Sequence, residues 1–427
     1  MSREMKHSGI EWIGEIPKEW EVCRFKFVSK MYTGNSLNEQ QKEKYSNSDF
    51  HETLPYIATK DVERDIERID YDGGIRIPSS SDNFVIAPRN SVLLCIEGGS
   101  AGKKVGYTNQ DVFFVNKLCC FTTDKNSRFL YYFILSHSFS EPFSQNLQGL
   151  IGGVSVSALR NFVISIPPLP EQQKIADYLD KVCGEVDELV VLQEKMIEEL
   201  KAYKQSVITE AVTKGLNPNA PMKNSGIDWI GKISEHWKVI RIKYLLKERK
   251  ERSVNGVEEP LSMSQKYGLI PTKDMEMIPN MASSFVGAKL VYKNDLVFNK
   301  LKAHLGVFAV SDYEGLVSPD YAVYSSTSIV NEKYLEYLFK TPQYIGEFIK
   351  LSSGVGAGLT RLYTSDLYSI NGIVPPIEEQ NAIVSFINTK CSEIDSLIAL
   401  KQQKIEELKE YKKSIIYEYV TGKKEIA

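Results

Sequence analysis

Pro167-Pro168-Leu169-Pro170-Glu171-Gln172-Gln173-Lys174-Ile175 opens a stretch that runs to Lys214 and occurs twice in the chain. The opening returns as Pro375-Pro376-Ile377-Glu378-Glu379-Gln380-Asn381-Ala382-Ile383. Ile197-Glu198-Glu199-Leu200-Lys201-Ala202-Tyr203-Lys204-Gln205-Ser206 returns as Ile405-Glu406-Glu407-Leu408-Lys409-Glu410-Tyr411-Lys412-Lys413-Ser414. The shift is 208 residues throughout (375 − 167), and 22 of the 48 aligned positions are identical without a gap. A match of this length at one fixed period makes the chain a tandem duplication.

Each copy reads as one long helix. Ile175, Leu179, Val182, Val186, Leu189, Met196, Leu200, Tyr203 and Val207 follow alternating steps of three and four, interrupted only at Gln193, which is the seam of a coiled coil. The second copy repeats it at Ile383, Ile387, Ile394, Leu397, Leu408, Tyr411 and Ile415. There Lys390, Lys401 and Lys404 fall on the seam, so the stripe is expected to tilt toward Ile398 and Ile405. The diproline fixes the start, and Glu171 falls in the first turn, where the helix dipole favours an anion. About 44 residues, interrupted only by Gly184, span roughly 66 Å at 1.5 Å per residue. A single such helix reads as a core or dimerisation element; two equal copies can pair antiparallel within one chain and cover both stripes.

A second repeat precedes each helix. Ser8-Gly9-Ile10-Glu11-Trp12-Ile13-Gly14, followed by Trp20, returns as Ser225-Gly226-Ile227-Asp228-Trp229-Ile230-Gly231, followed by Trp237. These boxes hold all four tryptophans, and paired Trp with Gly turns predicts a segment packed onto the body of its domain. Between box and helix the copies diverge. Strands are expected at Asn83 to Ala87, Ser91 to Ile96, Val112 to Val115 and Leu118 to Thr123, with counterparts at Lys289 to Val291, Leu296 to Asn299, Gly306 to Val310 and Tyr321 to Ser325. Short helices are expected at Arg128 to Ser136 and Asn331 to Lys340. Like ends with unlike middles suit two different recognition surfaces carried on one rigid frame.

The fold class is therefore α+β: two mixed, mainly β, globular recognition domains separated by two long helices forming an antiparallel coiled coil, with a pseudo-twofold internal repeat. The boundaries fall at 1–166 and 217–374 for the globular domains, and at 167–216 and 375–427 for the helices.

With 427 residues, 42 % hydrophobic and 25 % charged, the chain is long enough for two or three cored domains. It shows no run resembling a membrane span, and the polar start from Met1 to Ser8 is unlike a secretory signal. Six cysteines without a C-x-x-C pair read as reduced core thiols of a cytoplasmic protein. A net charge of −3 excludes nucleic-acid binding by bulk electrostatics alone, so any positive face must be local or supplied by partners.

No catalytic or metal constellation assembles. Glu97-Gly98-Gly99-Ser100-Ala101-Gly102-Lys103-Lys104 lacks the first glycine of a phosphate loop at the required spacing and has Lys104 where Ser or Thr would hold magnesium. The five histidines form no metal spacing with the cysteines. Basic loops after strands suit contact with a nucleic-acid backbone better, with a plain solvated hairpin as the alternative for Lys103 and Lys104. The candidates are Thr59, Lys60, Lys103 and Lys104 in the first half, and Thr272, Lys273, Lys300, Lys302 and His304 in the second: lysines toward phosphate, Thr59, Thr272 and His304 toward bases. Glycine clusters at 149–153 and 354–358, the latter just before Arg361, allow close backbone approach to a ligand.

Taken jointly, the diproline-Glu-Gln helices and the Trp-Ile-Gly boxes at Trp12 and Trp229 resemble the specificity subunit of bacterial type I restriction-modification systems over essentially the whole chain. The resemblance implies a non-catalytic reader of a bipartite double-stranded DNA target, one half per domain. The helices would dock two methyltransferase subunits, joined for restriction by motor-nuclease subunits. S-adenosylmethionine, ATP and magnesium would then sit on the partners, and this chain would hold no cofactor or metal. The readings kept beside it are a coiled-coil adaptor that binds only proteins and an independent enzyme.

Overall fold

The computed structural model describes residues 3–46, 52–63, 68–148, 152–264, 267–277, 284–354 and 360–426. The chain folds into two compact units, Met1–Lys195 with Lys401–Ala427, and Met196–Leu400. Both long helices form as the periodicity requires, over Leu169–Lys214 and Ile377–Val420, and each contributes one half to each unit.

The first unit closes its core around the start of one helix and the end of the other. Ile175, Leu179 and Cys183 share a cluster with Ile415, Ile416, Tyr419 and Val420, joined by Trp20, Phe25, Phe121, Phe129, Phe133 and Phe139. Residue numbers rise along one helix as they fall along the other: the Tyr178 and Tyr419 rings lie 4.6 Å apart, and Lys412 Nζ lies 2.9 Å from Asp187 Oδ1. The helices are thus antiparallel here. The second unit repeats the arrangement with Ala211 and Val212 against Ile383 and Ile387, and with Lys204 Nζ 2.7 Å from Asp395 Oδ2.

Each unit also carries the same four-stranded antiparallel sheet. In the first its order is Lys30–Thr33, Leu118–Thr122, Val92–Cys95, Val105–Tyr107; in the second it is Leu246–Glu248, Tyr321–Ser326, Leu296–Asn299, Phe308–Val310. The remaining strands are unlike. The first unit adds a sheet of Arg76–Pro78, Thr53–Ile57, Val112–Phe114 and Ile86–Ala87 with one parallel pair, where the second has two-stranded ribbons, Leu261–Ser264 with Gly268–Pro271 and Lys289–Val291 with Gly315–Val317. Helices Ser127–Leu135 and Glu332–Phe339 fall where the sequence places them.

The repeated motifs form one lock, built twice. Trp20 and Trp237 are fully buried, and their indole N–H groups donate to Glu171 Oε2 and Glu379 Oε2, each at 3.1 Å. Arg3 adds an ion pair to Glu171, and His236 contacts Glu379. The neighbouring glutamines work on the backbone: Gln172 accepts from Asn126 N and donates to Pro167 O, and Gln380 accepts from Asn331 N and donates to Pro375 O. Asn126 and Asn331 in turn cap the N-termini of Ser127–Leu135 and Glu332–Phe339. Asn381 stands where the first copy has Gln173, yet its carboxamide oxygen accepts from Asn331 Nδ2 as that of Gln173 does from Asn126 Nδ2.

The predicted seam needs a correction in its middle. Leu189 and Tyr203 are 45 % and 58 % exposed, while the adjacent Val190 is half-buried and Ile197 is buried. In the second helix Leu397 and Tyr411 are likewise exposed, and the stripe runs through half-buried Ile398 and buried Ile405 as the tilt anticipates. Apolar residues occupy both neighbouring positions of a wide stripe, so spacing alone does not choose between them.

Candidate nucleic-acid interface

In the first unit all four candidate residues meet on two adjoining turns. Lys104 Nζ donates to Thr59 O at 2.8 Å and ties the 103–104 turn to the 59–61 turn. Asp61 shapes the latter, accepting from Ala58 N at 2.8 Å, and it holds Lys60 Nζ at 2.9 Å. The hydrogen bond that Lys60 donates to Asp61, and that carboxylate's charge, raise the Lys60 pKa, which keeps the ammonium protonated. Lys103 is exposed. The glycine-rich turn beside it is packed at one end only: a side chain at Gly102, which has φ +73°, would run into the Phe143 ring, while Gly98 and Gly99 face open space.

These turns line one side of a cleft of about 1040 Å³, together with His137 and Ser140. The opposite wall comes from the long helices, through Asp187 and Glu194 on one and Lys409, Lys412 and Lys413 on the other. The sequence alone does not single out these helical lysines, because nothing local ties them to a loop some 300 residues earlier.

In the second unit the candidates separate. Thr272 is buried, its hydroxyl 2.8 Å from that of Ser262, so it braces a strand pair and offers no exposed edge to a base. Lys273 is exposed and pairs with Glu259 at 3.2 Å. Lys302 lines a second cleft of about 420 Å³ with Ser262, Met263, Met275, Asn299, Leu305, Val307 and Tyr321. His304 is half-exposed in the turn Ala303–Leu305, which Gly306 ends at φ 69°. Lys300 is not among the residues lining that cleft; it is half-buried, and its pKa is lowered by burial and by the neighbouring cations Lys289 and Arg361. Residues 149–151 and 355–358 of the two glycine clusters lie outside the described residues.

Other chemistry is sparse. All six cysteines are free thiols, and among the described residues no cluster of His, Cys, Asp and Glu is placed to hold a metal ion. No described helix is long and apolar enough to cross a membrane.

Comparison with known proteins agrees with this geometry. A family model described as the type I restriction modification DNA specificity domain matches twice, over residues 17–202 and 234–410. The type I restriction enzyme MjaVIII specificity subunit of Methanocaldococcus jannaschii is 24 % identical over 433 residues, covering 96 % of this chain and 93 % of that protein. The EcoKI specificity subunit of Escherichia coli K12 is 21 % identical over 404 residues, covering 87 % of this chain and 82 % of that protein. Among solved structures, a chain from work on complex assembly and conformational transition of the type I restriction-modification system superposes with a TM-score of 0.70 at 14 % identity, covering 95 % of this chain and 98 % of that one. The HsdS subunit of Thermoanaerobacter tengcongensis gives 0.56 at 15 % identity with the same coverage. Two family matches, each spanning a tryptophan lock and most of a long helix, carry the assignment: the chain belongs to the type I restriction-modification DNA specificity family.

Proposed function

We propose that the chain is the non-catalytic DNA reader of a type I restriction-modification complex. Each unit reads one half of a bipartite duplex target, through residues 1–166 in one and 217–374 in the other, while the helices at 167–216 and 375–427 dock two methyltransferase subunits. Motor-nuclease subunits would join for restriction, in the cytoplasm, and S-adenosylmethionine, ATP and magnesium would bind the partners. The observation that carries this reading is the repeated lock and sheet with unlike basic turns on them: Lys60 and Lys103 in one unit, Lys273, Lys300 and Lys302 in the other. A duplicated frame with different cationic inserts suits two different half-sites, with lysines on phosphate and polar side chains on base edges.

The test is to incubate the purified chain with plasmid DNA, alone and with methyltransferase partners, and to sequence for modified adenines. Methylation at a two-part motif, only with partners present, is the expected result. Modification or cleavage by the chain alone would make it an enzyme. Failure to footprint DNA even with partners would leave a protein-binding adaptor.

A further inference from the structure

Arg361 stood outside the candidates read from the sequence, and the fold brings it into a cationic corner of the second unit. Its Nη2 donates to Asp320 Oδ1 at 2.7 Å, and the guanidinium side chain is 26 % exposed. Leu362 N donates to Lys300 O at 3.1 Å, which fixes the Arg361 strand against the loop that follows Leu296–Asn299. Across that ladder Asn299 pairs with Tyr321, the residue after Asp320. Asn299, Lys300, Asp320 and Arg361 therefore converge at one end of the sheet, and Asn299 and Tyr321 also line the cleft that holds Lys302.

Two features suit this corner to an acceptor that carries negative charge. Lys289, Lys300 and Arg361 gather beside Glu248 and Asp320, so that cations outnumber carboxylates among these described residues in a half-buried place. Arg361 Nε is enclosed and finds no acceptor among the described residues. Buried donors are nearly always paired in folded proteins, and a guanidinium with one partner keeps donors for another acceptor.

We propose that Arg361, braced by Asp320 and flanked by Lys300, is a base-reading side chain of the second unit and recognises a guanine edge in the major groove. Bidentate pairing with guanine O6 and N7 is the commonest specific contact of arginine with DNA. Asp320 holds the fork in one orientation, so less freedom is lost when the base is engaged. Lys300, at the rim of the same corner, is placed to meet a phosphate beside that base. The inference rests on the DNA-reading function above and adds a residue and a base to it.

The experiment maps methylated motifs on a randomised DNA library, using the chain assembled with its methyltransferase partners, for wild type, Arg361→Lys, Arg361→Ala and Asp320→Asn. Arg361→Lys keeps the charge but loses the two-pronged geometry, so it should relax one guanine position in one half-site, with discrimination there falling on the order of 10- to 100-fold. Asp320→Asn should relax the same position by less, and the other half-site should be untouched by any variant. An unchanged motif in Arg361→Lys and Arg361→Ala would overturn the proposal. So would relaxation spread over both half-sites, or loss of all methylation with Arg361→Lys, since either assigns Arg361 to folding. A wild-type complex that methylates no two-part motif would instead refute the DNA-reading function itself.

Discussion

Lys412 Nζ lies between the two carboxylate oxygens of Asp187, at 2.9 and 3.0 Å, and the Lys412 side chain is only 10 % exposed. The internal repeat produces the same pair a second time. Asp187 shifted by 208 is Asp395, Lys204 shifted by 208 is Lys412, and Lys204 holds Asp395 at 2.7 Å in the other unit. One antiparallel register thus satisfies both copies.

The two pairs are chemically alike but unequal in burial, and their removal should differ accordingly. Asp187→Ala takes a carboxylate away from an almost buried ammonium, which should cost about 1–3 kcal/mol after allowing for the exposed side of Asp187. Asp395→Ala, with both partners more open, should cost less than about 1 kcal/mol. Urea unfolding of the two variants and of the Asp187→Ala, Lys412→Ala double mutant measures the difference; equal losses would show that burial does not set the strength of these pairs.

The tryptophan lock makes a second comparison. Glu171 accepts the Trp20 indole N–H and pairs with Arg3, so Glu171→Gln keeps an acceptor while Glu171→Ala leaves a buried donor without one. The alanine variant should lose about 1–3 kcal/mol and the glutamine variant clearly less. Near-ultraviolet circular dichroism of the tryptophans follows the same order if the hydrogen bond orients the indole.

How far the sequence revealed this depends on how local each signal was. The helices and the tryptophan boxes were legible because their repeats keep one spacing, and the glutamines fell into place once the caps Asn126 and Asn331 were seen. The middle of the seam was misplaced by one position because Cys183 joins the core cluster of the first unit beside a Val182 that is only partly buried, a choice made by tertiary packing. Arg361 was missed because its partner Asp320 is 41 residues away in the chain. The corrected stripe is itself testable: Ile197→Ala should cost roughly 2–4 kcal/mol and Leu189→Ala about 1 kcal/mol or less, read from denaturation midpoints.

Acid should act on the second unit through Glu336, whose side chain is 10 % exposed and lies 3.2 Å from Lys333 and 2.6 Å from Lys340. Burial alone would raise its pKa; Lys340 and Lys333, with hydrogen bonds from Lys340 and Val310 N, outweigh burial and hold it below the ordinary value of 4.5. A carboxylate whose folded-state pKa is depressed stabilises the fold fully above its unfolded value and loses that contribution as the pH falls through the folded one. The stability difference between wild type and Glu336→Gln should therefore be largest near pH 7 and shrink below about pH 4.5. A difference that stays constant into acid would mean that Glu336 acts by packing alone.

The first unit's turns and Thr272 should separate phosphate contact from structural support. Lys60 and Lys103 are exposed on turns that share one cleft, and Lys60 is already held in place by Asp61. Each phosphate contact releases counterions from duplex DNA and adds about 0.9 to the slope of log affinity against log salt. Lys103→Ala in the assembled complex should weaken binding at low salt, reduce that slope by about 0.9, and leave the methylated motif unchanged, because a lysine on phosphate carries no sequence information. Thr272→Val, by contrast, removes a buried hydroxyl bonded to Ser262 and should lower the unfolding midpoint while leaving the salt slope alone. An altered motif with Lys103→Ala would move that residue from the backbone to a base, and an altered motif with a normal midpoint for Thr272→Val would require its turn to open on DNA.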